Sequence, residues 1–188
     1  MIEMVDFNLR KTQFQTFFLS KEIVKCPMLV EISRIGKRIK KLNLEIENNF
    51  IISISYGKRL LITTDDVNIE NISNNDIIEI VDYDPIRNFV MVIGANNPNI
   101  ETPVHWIVHH ARNDINVIIQ LNGQKVLNHF LDGIPITDKI HASGTIELSK
   151  EILKTLKRSN EIIIKNIGCM FVGMSLKDVE NLIFKGDI

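Results

Sequence analysis

Glu101, His105 and His109 recur at four-residue intervals, which at 3.6 residues per turn sets a carboxylate and two imidazoles on roughly one face of a helix. A carboxylate so placed can act as a general acid or base, and imidazoles at that spacing can hold a divalent ion. The same pattern has a plainer reading. A glutamate and a histidine one turn apart form an ordinary surface pair, and His109 and His110 near a helix C-terminus complement the negative end of its dipole. Gln120 and Asn122 follow at alternate positions at the end of an apolar run, Val117-Ile-Ile119. Their amides offer donors and acceptors, so together with Glu101 and His105 they are candidates to line a polar cleft that binds a neutral ligand. His129 and His141 stand alone in the sequence and are expected to face solvent.

Other chemistry lacks its signatures. The chain has no Gly-x-Gly-x-x-Gly, no Walker loop, no His-Glu-x-x-His and no Gly-x-Ser-x-Gly elbow, so common nucleotide and hydrolase mechanisms have no support. Cys26 and Cys169 are far apart, neither in a Cys-x-x-Cys pair, and both are expected to be reduced, buried thiols.

The elements that must position these residues can be read from periodicity. Leu9 to Val24 lacks Gly and Pro and predicts a helix stopped by Pro27. Leu29, Ile32, Ile35, Ile39 and Leu42 form one apolar stripe, with Arg34, Lys37, Arg38, Lys40 and Lys41 on the other side, which is an amphipathic helix with a solvated basic face. Strand character then takes over. Phe50–Ser55 and Arg59–Thr63 flank the turn Tyr56-Gly57-Lys58, and Asp76–Asp82 and Asn88–Ile93 flank Asp84-Pro85, with a polar loop over 65–75 between the two hairpins. Four antiparallel strands therefore precede a helix over Glu101–Arg112, opened by Thr102-Pro103. A buried strand over Asn116–Gln120 comes next, followed by a helix over Gly123–Leu131, a Gly/Pro-containing loop, a helix over Ser149–Arg158, strands at Glu161–Lys165 and Cys169–Val172, and a helix over Ser175–Phe184 capped by Ser175.

The 188 residues, 45% hydrophobic, suit a single α/β domain spanning 1–188 with one sizeable core. A net charge of −1 supplies no field that would gather nucleic acid or an anionic membrane. No apolar run approaches the roughly 20 residues of a membrane span, and a cytoplasmic protein is expected.

Several stretches together resemble a known family. Glu101-Thr-Pro-Val-His105, Arg112-Asn-Asp-Ile-Asn-Val-Ile-Ile119 and Lys165-Asn-Ile-Gly-Cys-Met-Phe-Val-Gly-Met-Ser-Leu-Lys-Asp-Val179 are similar to the class II aldolase and adducin head domain family, and Leu60-Leu-Ile-Thr63 and Asp76-Ile-Ile-Glu-Ile-Val81 fall in the family's order. The resemblance is strongest over 29–184. It implies a three-layer αβα domain with a mostly antiparallel central sheet, and a homo-oligomer, in that family commonly a tetramer.

The family's enzymes hold zinc with a His-x-His at a strand end and a third histidine in Asn-His-Gly, and move a proton with a glutamate. Carried over by resemblance, the glutamate is kept as Glu101, but the ligand positions are occupied by Gln120, Asn122 and Ile167. The family's phosphate-binding Gly-Asn and Ser-Gly fall on Phe50-Ile51 and Asp65-Asp66. The expectation is therefore a non-catalytic member that has lost its zinc and phosphate sites, needs no cofactor, and is retained for assembly or for binding a small molecule or a protein. The alternative is an aldolase-like carbon–carbon lyase or an epimerase using Glu101 as acid/base, with zinc relocated to His105 and His109 or with no metal.

Overall fold

Runs of Ile, Val and Phe, buried at nearly every position in the central strands, build one eight-stranded sheet, and amphipathic helices cover its two faces. The computed structural model describes residues 14–46 and 50–185. In chain order the elements are β1 (Gln15–Ser20), α1 (Leu29–Lys40), β2 (Phe50–Tyr56), β3 (Arg59–Thr63), β4 (Ile77–Asp84), β5 (Phe89–Ile93), α2 (Thr102–Ala111), β6 (Val117–Asn122), α3 (Gln124–Phe130), α4 (Ile146–Leu156), β7 (Glu161–Ile164), β8 (Gly168–Gly173) and α5 (Leu176–Ile183). The strands lie in the order β1-β5-β4-β3-β2-β6-β8-β7, and every neighbouring pair is antiparallel except β1 with β5.

The layers follow from the alternation along β6. Val117, Ile119 and Leu121 join the core under α1, α3 and α5, whereas Ile118 joins Val104 and Val108 of α2 and Leu148 and Ile152 of α4 on the opposite face. This is a three-layer αβα domain with a mostly antiparallel sheet, as the resemblance implied.

The N-terminal helix expected over Leu9–Val24 is corrected by the structure. Residues 9–13 lie outside the described residues, and Gln15–Ser20 form an edge strand instead. Phe14 and Phe18 pack with Ile78, Val90 and Trp106, while Phe17 and Leu19 point the other way, half exposed. Alternation of this kind fits a period of two, and Thr16, Phe17 and Phe18 favour a pleated backbone. Among the described residues five strands, not four, thus precede α2. The polar stretch after β3 ends in a single 3₁₀ turn, Asn74–Asp76, where Ser73 and Asp76 cap each other, so β4 begins one residue later than expected. Helix α4 begins earlier than Ser149, because Thr145 accepts from the Leu148 N–H and starts the helix there.

Candidate functional site

Helix α2 owes its start to Asn99 and Pro103. The side-chain carbonyl oxygen of Asn99 accepts the Glu101 N–H at 2.9 Å, and the proline occupies the first turn, where no N–H is needed. Glu101 sits at the N-cap and is fully buried. Its Oε2 accepts the Gly144 N–H at 3.3 Å, and its Oε1 is buried without a hydrogen-bond partner. Burial raises the carboxyl pKa, against the opposing influence of Ser143, Gly144 and Gln120. A buried oxygen lacking a donor favours the neutral acid for the same reason. Glu101→Gln, which keeps the shape and removes the titration, should therefore raise thermal stability at pH 8 by about 1 kcal/mol. Melting curves of the two proteins at pH 5 and pH 8 check this, since the gain should shrink toward pH 5.

One turn along, His105 is also fully buried, and it lies at the centre of a hydrogen-bonded chain that crosses from α2 to the sheet. Its Nδ1 lies 2.7 Å from Ser53 Oγ of β2, and its Nε2 lies 3.1 Å from the Gln120 amide oxygen of β6. Ser53 Oγ reaches His109 Nε2 at 2.9 Å, His109 Nδ1 faces the Ile115 carbonyl at 3.3 Å, and the Gln120 amide donates to Asn122 Oδ1 at 2.9 Å. Burial is the main cause that holds both imidazoles neutral, lowering His105 to about 3 and His109 to about 4.

The protons in this chain have two consistent directions. In one, His105 Nε2–H donates to Gln120, Ser53 donates to His105 Nδ1, and His109 Nε2–H donates to Ser53, which leaves His109 Nδ1 bare against the Ile115 carbonyl. Turning the Gln120 and Asn122 amides over reverses every donor and supplies a proton to that carbonyl as well.

The structure thus brings Glu101, His105 and Gln120 together on the α2 face of the sheet, and of the four candidates only Asn122 reaches solvent. Ile167 is close by, in the β7–β8 turn: its carbonyl accepts the Gly123 N–H at 2.9 Å, and its side chain packs with the α2–α4 core. The three positions that the resemblance equates with metal ligands are therefore neighbours. Among the described residues no group of three or more His, Cys, Asp or Glu side chains could hold a metal ion. On the other subsite, Phe50 and Ile51 are buried inside β2, while Asp66 adopts a left-handed backbone, φ 58°, where the resemblance places a glycine.

The C-terminal turn of α2 divides its histidines. His110 is exposed, stacks on Trp106 at 3.9 Å and donates to the Trp106 carbonyl at 2.8 Å, as expected of a histidine closing a helix. His109 does not serve the dipole as a cation, because burial keeps it uncharged. His129 is exposed and His141 is half-buried in the loop before α4. Cys26 and Cys169 are both buried free thiols, as expected. Sequence reasoning missed Ser53 and Asn99. The only signal for Ser53 is a polar residue at an inward position of an otherwise apolar strand.

Residues 30–122 match the family described as Class II Aldolase and Adducin N-terminal domain. Over these residues the chain belongs to the class II aldolase and adducin family. Solved structures share its fold at low identity. An L-fuculose 1-phosphate aldolase superposes with a TM-score of 0.68 at 20% identity, over 86% of this chain and 82% of that one. A sugar-phosphate aldolase from Thermotoga maritima gives 0.64 at 14%, over 82% and 88%, and an L-fuculose-1-phosphate aldolase from Thermus thermophilus gives 0.64 at 16%, over 83% and 84%. No curated protein matches the chain in sequence. No helix among the described residues is long and apolar enough to cross a membrane.

Proposed function

We propose that this class II aldolase-family domain does not carry out zinc-dependent carbon–carbon cleavage and is kept as a binding or assembly domain. One observation carries the reading. At the β6 end the amides of Gln120 and Asn122 are bonded to each other, Gln120 is bonded to His105, and the third position, Ile167, has no side-chain donor atom. Neutral amide oxygens are poor zinc ligands beside imidazole, and both ring nitrogens of His105 are already engaged. The residues present do not fit a zinc ion. Asn122, at the open end of the chain of hydrogen bonds, offers a polar contact to a neutral ligand. A homo-oligomer, a tetramer by resemblance, and a cytoplasmic location complete the proposal.

The decisive experiment restores the donors. Gln120→His/Asn122→His/Ile167→His should bind about one zinc per chain by elemental analysis and gain stability when zinc is added, whereas the parent should do neither. Stoichiometric zinc in the parent, purified without chelator, would overturn the reading.

A second reading has its own observation: Glu101 is a buried carboxyl with raised pKa and one oxygen without a partner, the environment of a tuned acid or base. A lyase or epimerase activity lost in Glu101→Gln while the fold is retained would establish it.

A further inference from the structure

The outer face of α1 carries two adjoining hollows, each of about 660 Å³, and Lys37 and Lys41 line both. The first hollow is lined by Leu29, Val30 and Ile72 together with Arg34, Lys37 and Arg38. Val30 is 81% exposed, an unusual place for an apolar side chain in the middle of a basic surface. The second continues past Lys40 and Asn43, with Glu70 as the one acid on its rim.

The cations here outnumber the carboxylate that holds them. Glu180 of α5, with only 2% of its side chain exposed, takes Arg34 on both its oxygens, at 2.5 and 2.9 Å, and Arg38 on one, with Lys177 at 3.9 Å. Arg34 first, then Arg38, holds Glu180 ionised, its pKa lowered to about 2, so one negative charge is spread over three positive ones. Arg38 is further fixed by lying over the Phe184 ring at 3.9 Å. Both guanidinium groups are thereby held in place while remaining 52% and 40% exposed, and they still have N–H groups to offer.

We propose that this trough along α1 docks an acidic peptide segment of a partner protein, with an apolar side chain of that segment on Val30. The charge is complementary, and twelve helical residues at 1.5 Å each give a trough of about 18 Å, the span of about five or six extended residues. A lone phosphate would use one hollow and leave the other idle. Nucleic acid would bring phosphates to the lysines, but it finds no aromatic ring in the lining on which to stack a base, and it has nothing to set against the apolar side chains. The surface lies apart from the β6 end, so its occupancy is independent of the function proposed there.

The test uses the whole chain and a fluorescein-labelled peptide of about six glutamates with one leucine, read by anisotropy. Binding at low salt should weaken roughly tenfold or more on going to about 0.5 M salt. Lys37→Glu/Lys41→Glu should abolish it, and Val30→Asp should weaken it at least about fivefold, with circular dichroism and melting unchanged because all three side chains are exposed. Peptide affinity unaltered by the lysine reversals, no binding at low salt, or tighter binding of a single-stranded oligonucleotide of equal charge would each overturn the proposal.

Discussion

Acidification below pH 6.5 should destabilise the fold through His105 and His109 well before the surface carboxylates titrate. Both imidazoles are neutral in the folded chain, with pKa lowered by burial to about 3 and about 4, against 6.5 when unfolded. The unfolded state therefore binds more protons between those limits, so the stability they contribute is complete above pH 6.5 and is lost as the pH falls. Glu101 works in the opposite direction. Its pKa is raised, so above its unfolded value of 4.5 the folded state holds the extra proton. With two histidines against one carboxyl the histidines prevail, so stability should fall between pH 6 and 5, and fall more steeply below 4.5 where Glu101 no longer compensates. Glu180, with its pKa lowered to about 2, adds to the loss there. Urea unfolding at pH 7, 6 and 5 measures the slope. In Glu101→Gln the slope between pH 6 and 5 should be steeper than in the parent, and in His109→Gln it should be shallower. A parent whose stability is flat from pH 7 to 5 would show that the imidazoles are not held neutral.

Gly168→Ala should be severely destabilising. Gly168 pairs with Asn122 across β6 and β8, and a Cβ there would lie 2.0 Å from the Leu121 carbonyl oxygen and 2.6 Å from the Asn122 Cα. Both obstacles are backbone, so no rotamer change relieves them, and the strands must part at the place where Gln120 and Asn122 are held. A loss of about 3 kcal/mol or more is expected in chemical denaturation. Gly133→Ala is the comparison. Its φ of +80° strains any side chain, but nothing lies within 4 Å, so it should cost only about 1 kcal/mol. Near-equal losses in the two variants would remove close strand approach as the reason for the glycine at 168.

What can be read from the sequence is what repeats locally. The apolar stripe of α1, both hairpins, and the spacing of Glu101 and His105 along α2 depend on neighbours three, four or two residues apart, and all appear in the structure. The resemblance placed Gln120, Asn122 and Ile167 in one neighbourhood, although more than forty positions separate the last two in the chain. Contacts made across the fold leave no such trace. Ser53 bridges two imidazoles 52 and 56 residues away, and Glu180 gathers Arg34 from 146 residues away, so the basic helix face is not merely solvated but in part held in place by a buried carboxylate. Strand β1 is ambiguous locally, because Phe14, Phe17 and Phe18 also lie at helical spacing, and pairing with the distant β5 decides between the two.

The parallel pairing of β1 with β5 has a consequence for the order of assembly. Gln15 aligns with Phe89, so β1 closes a loop of about 74 residues, whereas every other strand from β2 to β5 meets its sequence neighbour through a short connection or a single polar loop. Closing a loop of that length costs chain entropy before any contact is gained. Strand β1 is therefore synthesised before its partner but can dock only after the β4–β5 hairpin exists. Among the described residues it is bonded on one side only, and its amides should be among the first strand positions to exchange with solvent.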